Sequence, residues 1–587
     1  MKNLIFLMCL ALLLPACQSS LPPVPKAQDD TPDAGSKTSS PVPGEPAVSE
    51  SAQPPVTDSG LSGEVLYYLL AAEIALQRNR MDVAVEGYSK AAEATDDVRI
   101  AERAARIAVY ARNDERAIQA AKKWVKLAPQ DAEARQVLAA LLVRTGQGDA
   151  AVPHFEALLN LGNGDVERQR YMLITSLLSK EKDKQAALDV MQKLVADRQD
   201  NPDAQYALAH LALLVDDLDM AEQAVERALT VRPDWSEAHL LRANVLHRKG
   251  ETKRLLGLIR ERLDEHPEDV ALRMFLARKL VDEKQFAAAR DEFTIALEYR
   301  PGDADALYAL GLLSLQQGDY VQAQKSFKQL IAQRQRVNDA RYYLGQAAEM
   351  QDKPDLALDY YGMIREGEHY IDARIRAAQI MTDKEGLDSG RAYLQNTAAD
   401  NLDDELRLYL AEGELLRDAR KYEEAYQLFN VALEQMPDNI QLLYVRALVA
   451  AKLDRLDESI VDLRRILDSE PNNVQALNAL GYTLVDTSDR IDEGMKYIQR
   501  AYQIRPDDPA IIDSMGWAYY RQGNYEKALE YLQRAFSMLK DGEIAAHLGE
   551  VLWVTGRRED ARQVWDEALR DAPQHRVLRD VIERFTQ

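Results

Sequence analysis

From Leu61 to the end of the chain, apolar residues recur three and four positions apart, and short polar breaks such as Gln317-Gly318-Asp319, Asp454-Arg455 and Gln522-Gly523-Asn524 interrupt them. That spacing puts apolar side chains on one face of an α-helix, whereas a half-buried strand alternates every second residue. No strand-like alternation bounded by hairpin turns occurs in this stretch. The pattern predicts an all-α chain of short amphipathic helices.

The helices recur with a fixed period. The alanine that opens the second helix of each unit falls at Ala84, Ala117, Ala151, Ala187 and Ala221, then at Ala289, Ala323, Ala357, Ala425, Ala528 and Ala561. The gaps are mostly 34 residues or a multiple, drifting by one or two, and Leu255, Arg391, Ser459 and Gly494 occupy the empty slots. Twelve residues earlier sits a small residue: Ala209, Ala243, Ala277, Gly311, Gly345, Gly413, Ala447 or Gly549, with Gly481 and Gly516 displaced by at most one. A proline often closes the unit, as at Pro301, Pro437, Pro471, Pro506 and Pro573. Small residues let paired helices approach closely, and proline cannot continue the helix before it. The large residue four positions after the marked alanine is expected to fill the gap against the neighbouring unit.

A 34-residue unit with a small residue at position 8, alanine at 20, a large apolar residue at 24, alanine at 27 and proline at 32 resembles the tetratricopeptide repeat (TPR). The best copies carry Ala289, Phe293, Ala296 and Pro301; Ala425, Phe429, Ala432 and Pro437; Gly549, Ala561, Trp565, Ala568 and Pro573; and Gly516, Tyr519, Ala528 and Ala535. The resemblance covers nearly all of residues 61–587. It implies a TPR-type helix-pair solenoid wound as a right-handed superhelix. The pattern weakens before about residue 200, and again between about 362 and 401, where Gly367, Gly386 and Gly390 fall and an arginine takes the alanine slot. The expected organisation is an N-terminal segment over 61–365, an irregular joint over 366–401 and a C-terminal TPR segment over 402–587.

The first sixty residues are of another kind. Lys2 and the apolar run Leu4–Leu14 read as a signal peptide over residues 1–16, too short to span a bilayer. Leu14-Pro15-Ala16-Cys17 resembles the bacterial lipobox, with Pro15 where the family prefers a small residue. The competing reading is an ordinary signal peptide followed by a coincidental cysteine. The lipobox resemblance implies that Cys17 becomes a lipidated N-terminus and that cleavage removes Cys9, the only other cysteine. Two acyl chains already anchor a protein stably. Gln18 follows, with no aspartate to signal inner-membrane retention, so the family rules place the protein on the outer membrane, facing the periplasm. Residues 17–60 are rich in Pro, Ser, Asp and Thr and poor in large apolar side chains, which predicts a disordered tether.

Composition narrows the function. The 587 residues carry a formal net charge of -23, which repels nucleic-acid phosphates and anionic lipid headgroups alike. With both cysteines in the first seventeen residues, the repeats can hold neither a disulfide framework nor a cysteine zinc site. Metalloprotease, serine-hydrolase and nucleotide-loop signatures are absent, and the eight histidines never form an i, i+4 pair. They read as surface or packing residues. The chain is expected to be a non-enzymatic scaffold with no cofactor and no metal.

In TPR units the concave surface is lined by first-helix positions 2, 5, 9 and 12. The repeat frame puts Tyr308, Tyr342, Tyr444, Tyr482, Trp517, Tyr520 and Trp553 there, with Asn478 as a donor toward a bound peptide. Aromatic side chains supply large contact area at low entropic cost. A register error of one residue would instead bury them between repeats. Tyr519, at position 11, is expected in the core, and Trp517→Ala is expected to weaken a ligand without unfolding the chain. The combination of lipobox, tether and long acidic TPR array resembles the lipoprotein adaptors of carboxyl-terminal processing proteases in Gram-negative bacteria, of the larger, LbcA-like type, with NlpI a shorter analogue. That resemblance implies a periplasmic Ser-Lys protease and its peptidoglycan hydrolase substrates as partners. The rival reading is a TPR assembly factor for an outer-membrane secretion or exopolysaccharide apparatus. Cys17→Ala is expected to abolish lipid attachment, measured by acyl labelling, and to leave the helical circular dichroism unchanged.

Overall fold

The computed structural model describes residues 61–160, 167–488 and 490–586, and these form thirty-one α-helices and no strand. The expected signal peptide, the lipidation residue Cys17 and the tether lie outside the described residues. The described residues divide into two compact units, the first ending at Gln316 and the second beginning at Gln317. In each, successive helices pack as pairs and the pairs stack in chain order. The division falls at Gln316–Gln317, and residues 366–401, expected as a joint, lie within the second unit.

The local sequence explains where each helix starts and stops. Helix Pro509–Arg521 opens on Asp508, whose carboxylate accepts the Ala510 N–H at 3.0 Å, with proline at the position that needs no donor. It closes at Gly523, whose φ of +78° suits a residue without a Cβ. That turn lets the Asn524 N–H donate to the Tyr519 carbonyl at 2.9 Å, a Schellman-type closure. The side chain of Asn524 then accepts from the Lys527 N–H at 3.2 Å and starts the next helix, Tyr525–Met538. The turn recurs through the chain, with Gly146, Gly250, Gly318 and Gly556 at the same left-handed position, and with Asp216 and Asp454 where no glycine is present.

The small residue at position 8 and the large one at position 24 belong to a single contact. A Cβ added to Gly549 would lie 1.8 Å from Trp565 Nε1, one at Gly413 2.2 Å from the Phe429 ring, and one at Gly345 2.3 Å from Tyr361. The ring at position 24 is thus seated on the first helix of its own pair. It also reaches the neighbouring unit as expected: Phe327, at the same position, stacks on Tyr343 of the next pair with centroids 5.5 Å apart, and the Tyr361 hydroxyl accepts from Arg376 of the next pair at 3.1 Å. Trp565, Phe429 and Tyr361 are at most 1 % exposed. At Gly481 and Gly494 the two backbones themselves meet, each glycine's missing Cβ pointing at the other's carbonyl oxygen.

Residues 366–401 carry one such pair, helices Tyr370–Glu385 and Leu387–Gln395. The close-contact residue there is Gly390, whose Cβ would lie 2.6 Å from the Ala378 carbonyl. The frame has slipped by one residue, and Arg391 is turned aside to an ion pair with buried Glu412 at 3.0 Å.

Gly549→Ala is expected to lower stability by about 1–3 kcal/mol, because the indole has no room to shift. Gly257→Ala, in helix Thr252–Glu265 with open space around it, is expected to raise stability by up to about 1 kcal/mol. Urea unfolding followed by circular dichroism measures both.

Candidate protein-binding face

Three first helices of the second unit, Val474–Thr487, Pro509–Arg521 and Gly542–Val554, pack side by side. Residues three or four apart share a helix face. Asn478, Tyr482 and Asp486 therefore line up on one helix, Asp513, Trp517 and Arg521 on the next, and Glu543, His547 and Glu550 on the third.

The centre is His547, 8 % exposed. Its Nδ1 donates to the Asp513 carboxylate at 2.9 Å, and its Nε2 lies 3.3 Å from the Tyr482 hydroxyl. The Trp517 indole stacks on the imidazole with centroids 4.2 Å apart. Trp517 Nε1 donates to Asp486 at 2.9 Å, and the Arg521 guanidinium stands 3.6 Å from the same carboxylate. On the other side, Tyr520 packs on Trp517 at 4.9 Å and donates to Glu550 at 3.0 Å, and Glu550 is also bound by Arg584.

Burial alone would make His547 a weaker base, but the facing Asp513 carboxylate, with Glu543 and Asp486, outweighs it and holds the pKa above the ordinary histidine range. The shift favours the doubly protonated ring, in which each nitrogen has one acceptor, the Asp513 carboxylate on Nδ1 and the Tyr482 hydroxyl on Nε2. Burial, and then Asp486, Asp513 and Glu543, push the Tyr482 hydroxyl well above the usual tyrosine range. Burial and the Glu550 carboxylate push Tyr520 up to about 12. The tyrosines are neutral hydroxyls at physiological pH.

The structure gathers three of the expected residues, Tyr482, Trp517 and Tyr520, into this cluster. Asn478 shares their face, half-buried, and its Oδ1 has no hydrogen-bond partner, so the amide offers an acceptor as well as the expected donor. Trp517 is only 7 % exposed, and Tyr342 9 %. Both are packed inside their repeats, Tyr342 stacked on His369 at 4.3 Å, because a histidine contributed by the next pair takes up each ring. Trp517→Ala is consequently expected to cost about 3–5 kcal/mol in stability, and the expectation of an intact fold is withdrawn. Trp553 is half-buried against Trp565 at 5.6 Å and Phe585 at 6.4 Å, part of the C-terminal packing. Tyr444 is half-buried in helix Ile440–Lys452, and Tyr308 half-buried in helix Ala304–Gln316 of the first unit. Tyr519 packs on Tyr531 of its own pair at 5.5 Å, half-buried.

The charged members of the cluster were missed in the sequence. Asp513 and Glu550 occupy face positions 5 and 9 of the repeat frame, so position was a usable signal, and choosing aromatic residues alone discarded it. Nothing local in the sequence pairs His547 with Asp513, 34 residues earlier, or Glu550 with Arg584.

The first unit holds a separate, buried ring cluster where helix Pro202–Leu214 meets the turn that opens helix Ser236–Arg248. Tyr206 and Trp235 pack at 4.6 Å, and the Arg168 guanidinium lies 5.4 and 5.0 Å from their respective rings. Glu237 pairs with Arg168 at 3.3 Å. Among the described residues no group of three His, Cys, Asp or Glu gathers to hold a metal, and no helix is long and apolar enough to cross a membrane.

Tetratricopeptide-repeat profiles match residues 178–245, 276–323, 315–367, 444–509 and 514–576. A TPR repeat-containing protein of Pseudomonas aeruginosa is 33% identical over 556 residues, which is 94% of this chain and 90% of that one. The chain belongs to the tetratricopeptide-repeat proteins. A CTR9 homologue of Arabidopsis thaliana is 22% identical over 62% of this chain and 31% of its own. Among solved structures, yeast Tom70 aligns over 88% of this chain and 99% of its own, at 14% identity and a TM-score of 0.31. As a tetratricopeptide-repeat protein the chain is a protein–protein interaction scaffold, and its partners are proteins.

The buried pair makes the stability of this TPR unit depend on pH. A histidine whose folded pKa exceeds its unfolded value contributes fully below about 6.5, and that contribution is lost as pH rises through the raised value. Unfolding midpoints of the wild type are expected to fall as pH rises above the ordinary histidine range. In Asp513→Asn that fall is expected to vanish, and at pH 6 the variant is expected to be about 3 kcal/mol less stable. Denaturation at several pH values, with the His547 ring proton followed by NMR, measures both.

Proposed function

We propose that this chain is a scaffold lipid-anchored at Cys17 in the outer membrane and facing the periplasm. It binds a carboxyl-terminal processing (Ser-Lys) protease together with its substrates, peptidoglycan hydrolases, and promotes their degradation. The observation that carries the reading is that tetratricopeptide repeats occur in both compact units, with the half-buried Tyr482 and Tyr520 and the exposed Glu543 sharing a first-helix face of the second. An adaptor must hold two proteins at once, and two runs of repeats on one chain raise the effective concentration of one partner around the other without any new contact between them.

The N-terminal sequence supports the location. A lipobox-like Leu14-Pro15-Ala16-Cys17 after a short apolar run, followed by a proline-rich stretch, suits a repeat array that searches the periplasm while staying on its membrane. The net charge of -23 favours protein partners over nucleic acid.

Crosslinking in intact envelopes, recovery of the tagged chain and mass spectrometry test this directly. A serine protease of the carboxyl-terminal processing type, recovered together with cell-wall hydrolases, is the expected result. In a purified mixture the chain is then expected to speed hydrolase degradation at least about tenfold. Recovery of a β-barrel, a secretin or polysaccharide-synthesis components with no protease contradicts the proposal.

A further inference from the structure

The face in the second unit has a charge that ring packing does not explain. Asp513 lies 2.9 Å from His547, Asp486 holds the Trp517 indole that stacks on His547, and Glu543 stands one turn before His547 on the same helix face, so three carboxylates surround one place. Two cations oppose them: Arg521, 3.6 Å from Asp486, and the His547 imidazolium, 2.9 Å from Asp513. Glu543 is exposed and has no ion-pair partner among the described residues. The cluster therefore keeps one uncompensated negative charge even with His547 protonated. One helical turn from Tyr482, on the same face, the buried Asn478 Oδ1 has no donor. A buried acceptor without a partner and a carboxylate without a counter-charge are both satisfied by an N–H donor that carries positive charge. The half-buried rings of Tyr482 and Tyr520 add faces that attract a cation.

We propose that this face takes a lysine or arginine side chain from an extended segment of a partner protein, with Glu543 and Asp486 receiving its charge. The inference rests on the face being a binding surface, as in the proposed function, and adds the chemistry of the segment bound. His547 is the built-in cation of the cluster and Glu543 its free end, so the guest enters at the exposed Glu543 side. An acidic segment is repelled by the same carboxylates.

A random dodecapeptide display library panned against the full chain in detergent tests this. Peptides enriched in Lys and Arg over the input library are expected. A recovered peptide, synthesised and labelled, is expected to bind the Asp486→Asn/Glu543→Gln double variant at least about tenfold more weakly by fluorescence anisotropy. Both changes keep the side-chain shape, and the amide oxygen introduced at position 486 can still accept from Trp517. Glu543→Gln alone, at an exposed and unpaired residue, is expected to weaken binding several-fold with unchanged circular dichroism, which separates a binding effect from a folding one. Acidic or unbiased peptides, no enrichment, or equal binding to both variants overturn the inference. Those results leave the adaptor reading standing, because a protease can dock elsewhere. Basic peptides that depend on Glu543, with no protease in the envelope crosslinks, support this inference and remove the adaptor reading.

Discussion

The contact on which everything else depends is a large side chain of the second helix seated on a residue without a Cβ, or with only a methyl, in the first. At Gly549–Trp565, Gly413–Phe429 and Gly345–Tyr361 there is no room for even one more carbon. Interiors packed at crystal density do not absorb such an atom cheaply. The contact fixes the distance within each pair and the rotation of the first helix about its axis. Position 8 faces the paired helix, and positions 5 and 9 lie about 60° and 100° round the same helix from it, together on its flank. In this way a packing constraint repeated every 34 residues aligns the first-helix faces of successive pairs.

On the last three of those faces the chain places rings and charges together. A tryptophan stacked on a buried imidazole, itself tied to a carboxylate, is a stiff platform whose parts come from helices about 30 residues apart. Such a network is strong when every member is satisfied. Here nearly every member is, and the two exceptions, Asn478 Oδ1 and Glu543, lie on the same face. The rigidity belongs to the fold, and the unsatisfied edge belongs to whatever binds. Trp517 is therefore a supporting residue, and in the proposed interaction the contacts fall to the half-buried Tyr482 and Tyr520 with the exposed Glu543.

Helix type, repeat length and the small-residue positions were legible in the sequence because each follows from spacing along one chain. Ala425, Phe429 and Gly413 announce a helix pair without any partner residue being known. The role of Phe429 was less legible, since the frame marks it as large and buried but does not say which helix receives it. The slip at Gly390 was hidden because Arg391 occupies the slot by count, and only three-dimensional contact shows the glycine taking the alanine's place. Burial of Trp517 was illegible for a similar reason. Whether a ring at position 9 is open or covered depends on His547, in the next repeat. Polar members were lost by attending to residue type over position, since Asp513 and Glu550 stood in the frame.

The central claim is that partners bind the first-helix face of residues 474–554. A photo-crosslinking amino acid placed at Tyr520, on that face, and separately at Val461, 62% exposed on the second helix Leu456–Ser469, tests it in living cells that make the full chain. The account predicts discrete protein adducts from position 520 and none of the same mass from position 461. Adducts of equal yield from both positions, or from 461 alone, would contradict it.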